Sequence, residues 1–189
     1  MDAKDPRAAE VMRFWFAGAP RDKRWFEKNA AFDAEIRARF LALHEAAAAG
    51  ALDAWKETRA DCLALIVLLD QLPRNMFRGT PRAFATDARA LGAARYAVER
   101  GYDRTMAPCE RMFVYLPFEH SESLDDQDES CRLNKPLAAF PETHDVYRYA
   151  ERHREIIARF GRFPHRNAAL GRASTPEEIE FLKEPGSGF

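Results

Sequence analysis

Little in this chain of 189 residues favours one sign of charge, and that shortage removes whole classes of partner. With a formal net charge of -1 at neutral pH, nothing in the total is built to neutralise nucleic-acid phosphates or to hold an anionic membrane surface. Neither partner is expected. Cysteine is equally scarce: Cys62, Cys109 and Cys131 lie far apart without Cys-x-x-Cys spacing, which suits reduced thiols in a cytoplasmic protein rather than a disulfide framework. The longest apolar run, Cys62 to Leu69, is too short to span a bilayer. The opening Met1-Asp2-Ala3-Lys4-Asp5-Pro6 lacks the apolar centre of a signal peptide. Strand-like alternation with hairpin chemistry is missing, and so is any repeat of constant period.

What is present is a 47% hydrophobic content in periodic segments, enough for one sizeable core. The expectation is an all-α protein of seven or eight helices in antiparallel hairpins, a single domain over residues 1–183 with 184–189 as a disordered tail. Asp5-Pro6 starts a first helix that Gly18 and Pro20 end. Asn29 caps a second, with Phe32, Ile36, Phe40, Leu43 and Ala47 on one face and Gly50 as its stop. Thr58 and Asp61 open a third, Arg59 to Gln71, apolar almost all round and therefore central. Further helices are read over Ala85 to Arg100, from Pro108 to Leu116-Pro117, from Ser123 to Pro136, over Thr143 to Phe160, and after Ser174-Thr175-Pro176-Glu177.

Polar chemistry gathers just beyond these helices. Asp70, Gln71, Arg74, Asn75 and Arg78 fall within about two helical turns of one another where the central helix should end at Pro73. A carboxylate there is costly unless Arg74 or Arg78 meets it or it caps local amides. Asn75 and Gly79 are read as positive-φ positions of the sharp turn. A second segment repeats the Pro-Arg-Asn pattern as Pro164-His165-Arg166-Asn167, with Arg162 before it and His153 close by. Between Arg148 and Arg172 stand seven arginines and two glutamates, whereas Glu119 to Glu129 holds six acids and no Lys or Arg. Two accounts stay open: the segments pair across the fold, or the arginine forks and the helix start after Pro164 hold a phosphate or carboxylate.

Glu119 and His120 are candidates for proton transfer, with Glu122 beside them. No spacing joins Glu119, His120, Glu122, His153 and His165 into a metal motif, so neither a metal nor a cofactor is expected. Ser121 follows His120 but lacks a nucleophile-elbow context, so no triad is assigned.

Three stretches together resemble the bacterial family known as domain of unknown function 924: Asp70-Gln71-Leu72-Pro73-Arg74-Asn75-Met76-Phe77-Arg78-Gly79-Thr80, Tyr115-Leu116-Pro117-Phe118-Glu119-His120-Ser121-Glu122, and Arg159-Phe160-Gly161-Arg162-Phe163-Pro164-His165-Arg166-Asn167. The resemblance runs from the Val11 to Phe16 helix to Phe181, with Leu72 where the family more often has Phe and Pro136 interrupting a usually apolar helix. It implies an all-helical fold similar to tetratricopeptide-repeat-like superhelices and no established activity. Two functions follow as alternatives: a site where the three segments meet around an anionic or polar small molecule, or a helical-repeat-like module for a peptide or protein partner with the motifs as braces.

Overall fold

The computed structural model describes residues 3–20 and 22–188. Among them every regular element is helical: α1 (Pro6–Trp15), α2 (Ala30–Ala48), α3 (Arg59–Ile66), α4 (Leu72–Met76), α5 (Asp87–Glu99), α6 (Pro108–Glu119), α7 (Leu124–Asn134), α8 (Val146–Phe160), α9 (Asn167–Leu170) and α10 (Pro176–Phe181). No helix of the described residues is long and apolar enough to cross a membrane.

The starts follow local chemistry. Asp5 accepts the Arg7 N–H at 2.8 Å, Asn29 that of Phe32 at 3.0 Å and Thr58 that of Asp61 at 3.4 Å. Thr175 and Glu178 exchange the two bonds of a capping box. Ser123 has the extended backbone of a cap but gives its helix no side-chain bond; its own N–H goes to the Ser121 hydroxyl instead. Pro136 ends α7 as expected, turning the chain into a 3-10 segment over Lys135–Ala139. Pro117 does not end α6, which runs to Glu119 at the loss of one backbone bond.

Around α3 the rest is assembled. Residues 62–69 are all at or below 1% exposure, enclosed by α1, α5 and α6, so no face of this helix needs polar side chains. Ala90, Ala93, Ala94 and Ala97 line the inner face of α5 and let it approach closely. Each fully buried Leu or Ile in this layer contributes about 1.5–3 kcal/mol of transfer free energy. α7 packs between α6 and α8, and a smaller cluster of Ile156, Ile157, Phe163 and Phe181 seats the C-terminal segment on α8.

The central helix does not end at Gln71. It continues through a π turn, Val67–Gln71, into α4. Pro73 has no N–H for the Leu69 carbonyl, and the Leu72 N–H reaches back five residues to Val67. Three carbonyls are taken by side chains: Leu68 O by His44 Nδ1 at 2.9 Å, Leu69 O by Thr86 Oγ1 at 2.5 Å, and Asp70 O by Arg74 Nη1 at 2.6 Å. The bulge thus absorbs the proline that a regular helix could not. Asn75 consequently has helical backbone rather than positive φ, and only Gly79, at +73°, makes the expected left-handed turn.

Candidate functional site

The π turn carries Asp70, whose residue is 0% exposed. A buried carboxylate needs partners on both oxygens. Gln71 Nε2 donates to Oδ2 at 2.5 Å, His120 Nδ1 lies 2.8 Å from Oδ1, and Arg74 Nη1 stands 3.4 Å from Oδ1. Burial raises the Asp70 pKa, but the Arg74 charge and the hydrogen bonds from His120 and Gln71 outweigh it and hold the carboxyl below its ordinary range. An ionised carboxylate only accepts, so the neutral His120 ring carries its proton on Nδ1 and presents Nε2 as a lone pair. Burial and the nearby Arg74 depress the His120 pKa, with Asp70 opposing them.

Asp87, the first residue of α5, links the two arginine segments. Arg74 grips it with two bonds, Nη1 at 2.9 Å and Nη2 at 3.0 Å. Arg166 reaches the same carboxylate through Nη1 at 3.2 Å and donates Nη2 to the His120 carbonyl at 3.0 Å. The Arg166 guanidinium also lies 4.8 Å and 4.6 Å from the ring centres of Phe84 and Phe163. Its Nε is buried and has no hydrogen-bond partner among the described residues. Desolvation, with repulsion from Arg74, lowers its pKa to about 10. The cluster reaches solvent through the His120, Arg74 and Asp87 side chains, 14%, 19% and 19% exposed.

Glu119 and His153 lie one layer deeper. His153 Nδ1 is 2.8 Å from the Tyr149 carbonyl and 3.2 Å from Glu119 Oε1, and its ring centre is 6.4 Å from that of His120. Burial first, and the Asp70 charge second, push Glu119 up to about 8, so it holds its proton at neutral pH. Burial takes His153 down to about 3. His165 packs on Phe163 at 5.6 Å, and burial lowers it to about 4.

The other expected residues serve neighbouring contacts. Arg78 and Asn75 both hold Asp33, at 2.6 Å and 2.7 Å. Arg162 and Asn167 both hold Glu178, at 2.6 Å and 3.2 Å, and Asn167 also bonds Ser174 and Arg172. Glu122 is taken by Arg172 and by the Phe163 N–H at 2.8 Å. Much of the arginine excess is therefore spent on carboxylates across the fold, although Asp126 of the acidic stretch pairs with Arg95 instead. Asp70, Arg74, His120 and Arg166 do converge. Asp87, Phe84 and Thr86 were missed: in sequence they are an ordinary helix start, and only the fold brings Asp87 between two arginines.

Among the clefts on the described surface, one of about 130 Å3 is bounded by Asp53, Lys56, Leu69, Arg89 and Gly92, and another of about 300 Å3 by Cys131, Tyr147, Glu151, Arg154 and Glu155. Neither is lined by Asp70, Arg74, Asp87, His120 or Arg166.

The sequence pattern of a bacterial protein family of unknown function, DUF924, matches residues 11–186. The chain belongs to DUF924. Within solved structures it is similar to a protein of unknown function from Agrobacterium tumefaciens, at 46% identity over 94% of this chain and 97% of that one, with a TM-score of 0.87. A search of the curated proteins found no match. DUF924 membership agrees with the three motifs and brings no activity with it.

Proposed function

We propose that Asp70, His120, Arg74 and Arg166 form a general acid–base site for a small polar or anionic molecule in a cytoplasmic protein. The observation that carries this reading is the 2.8 Å pairing of His120 Nδ1 with the buried Asp70 carboxylate, on an imidazole whose side chain is still 14% exposed. Such a carboxylate fixes the tautomer and stabilises the imidazolium that forms when Nε2 takes a proton. Arg166, with its spare Nε, supplies the positive field for a substrate carboxylate or phosphate, or for negative charge that develops during reaction. Glu119, neutral and buried behind His120, serves as a proton reserve rather than as the first base. Arg78, Arg162, Glu122, Asn75 and Asn167 brace the segments that carry these groups.

The test is a thermal-shift screen of a small anionic metabolite panel, followed by carbethoxylation of histidines read by mass spectrometry. A stabilising ligand should lose its effect in Arg166→Met and His120→Gln, and should protect His120 from modification in the wild type. If no ligand stabilises the wild type, or if the shift survives in both variants, the cluster is a structural brace and the proposal falls.

A further inference from the structure

His120 stands at the exit of α6, directly after its last residue, where the carbonyls lose their helical partners. Other helices of the chain meet this need with glycine. α2, α5 and α8 are each followed within two residues by a left-handed glycine, Gly50, Gly101 or Gly161, at φ of +85°, +67° and +68°. No glycine follows α6. His120 keeps helical backbone at φ -82° and ψ -8°, and neither Ser121 nor Glu122 takes a positive φ.

A side chain of α7 does the capping instead. Gln127 is 0% exposed, and its Nε2 donates to the carbonyls of Glu119 and Ser121, both at 2.7 Å, with that of Phe118 at 3.4 Å. Asp126, the residue before it, accepts the Ser121 hydroxyl at 2.7 Å. Since Arg166 donates to the His120 carbonyl, every carbonyl from 118 to 121 has a side-chain partner. The backbone is thereby pinned on both sides of the imidazole.

As a core residue the glutamine is otherwise unfavourable. All three acceptors are carbonyls, so its NH2 end must face them, and Oε1 is left buried without a hydrogen-bond partner among the described residues. Such an oxygen is costly, and a leucine of similar volume would avoid it. What the amide adds is its pair of N–H groups around His120. A glycine cap would satisfy the same carbonyls but turn the chain left-handed just after His120; the Gln127 clamp lets Ser121 and Glu122 run on to Asp126 and Arg172.

We infer that Gln127 is a positioning residue for His120, clamping the backbone on both sides of it so that Nδ1 meets Asp70 and Nε2 is left to take a proton, an assignment that rests on the acid–base role given to His120 above. Its bonds go to the backbone, so it acts through the placement of the ring.

Nitrogen NMR of protein labelled at histidine tests it, because the spectrum reports which ring nitrogen of His120 carries the proton. Wild type should show the Nδ1-protonated form. In Gln127→Leu the population of the Nε2-protonated form should rise about tenfold, the weight of about one net hydrogen bond. Gln127→Asn, whose amide falls one methylene short of the carbonyls, should shift the tautomers the same way. Asn134→Leu removes another buried amide of α7, one bonded to the Ser130 carbonyl at 3.1 Å; it should lower the melting temperature as Gln127→Leu does, yet keep the wild-type tautomer. Unchanged tautomers in both Gln127 variants, the same shift in Asn134→Leu, or failure of both Gln127 variants to fold would each overturn the inference and leave the acid–base site standing. A wild-type His120 protonated on Nε2 would remove the acid–base site itself, and the role of Gln127 with it.

Discussion

The turns Pro73-Arg74-Asn75 and Pro164-His165-Arg166-Asn167 share a short pattern and use it alike, yet only one of their arginines is fully spent. In both, the asparagine bonds a carboxylate that an arginine also holds: Asn75 shares Asp33 with Arg78, and Asn167 shares Glu178 with Arg162. In both, the arginine points to Asp87. Arg74 takes that carboxylate with two bonds, adds the Asp70 carbonyl, and has its pKa raised despite burial. Arg166 makes one longer bond to Asp87, lies against two aromatic rings, and keeps Nε unbonded. A motif can therefore repeat its geometry without repeating its energetics. The backbone context decides: the first turn continues a buried helix, and the second is itself a 3-10 segment over Pro164–Arg166.

Removing what the two turns share should cost most. Asp87→Asn leaves both arginines without their common anion and is expected to destabilise by about 3–5 kcal/mol in urea unfolding, the range for breaking a buried charge pair. Next, the arginines should separate. Arg74→Met is expected to cost about 3 kcal/mol because Asp70 and Asp87 lose their counter-charge, whereas Arg166→Met should cost about half as much. Equal losses would erase the distinction drawn here.

The titration of Glu119 and His153, which lie beside His120, gives a test by pH. The Glu119 pKa is raised from 4.5 to about 8, so the folded state holds that proton more tightly. Its stabilisation is complete below the unfolded value and is lost as pH rises through the folded one. His153, lowered from 6.5 to about 3, acts oppositely, with stability present above 6.5 and lost on acidification. Between these ranges, as pH rises from 6.5 to 8, unfolding free energy should fall by roughly 1 kcal/mol per pH unit, and Glu119→Gln should flatten that slope. Smaller still, Asn75→Ala and Asn167→Ala should each cost about 1 kcal/mol by loss of a charge-assisted bond, matched between the turns.

Local chemistry was legible in the sequence where a few adjacent residues decide it. Asn29, Thr58, Thr175, Gly161 and Pro136 act near where their types suggest, and the apolar run at 62–69 is the core. The convergence of Asp70, His120 and Arg166 was legible as three polar segments after apolar helices. The π turn was not, because its support comes from His44 and Thr86, distant side chains whose roles depend on tertiary placement. The partners Asp33, Asp87 and Glu178 were hidden for the same reason: each sits in the first turn of a helix, where an acid is already explained by the dipole.

The clasped carbonyls at Leu68, Leu69 and Asp70 also limit how the motif can be moved. A peptide of residues 59–80 cut free of the protein would keep Arg74 but lose His44 and Thr86, and water would compete for the carbonyls they now bind. Without those side chains the π turn that accommodates Pro73 would lose its support, and Asp70 would lose the enclosure and the His120 contact that fix its carboxylate. The Asp70 geometry is thus a property of the assembled helices and cannot be grafted as a linear segment.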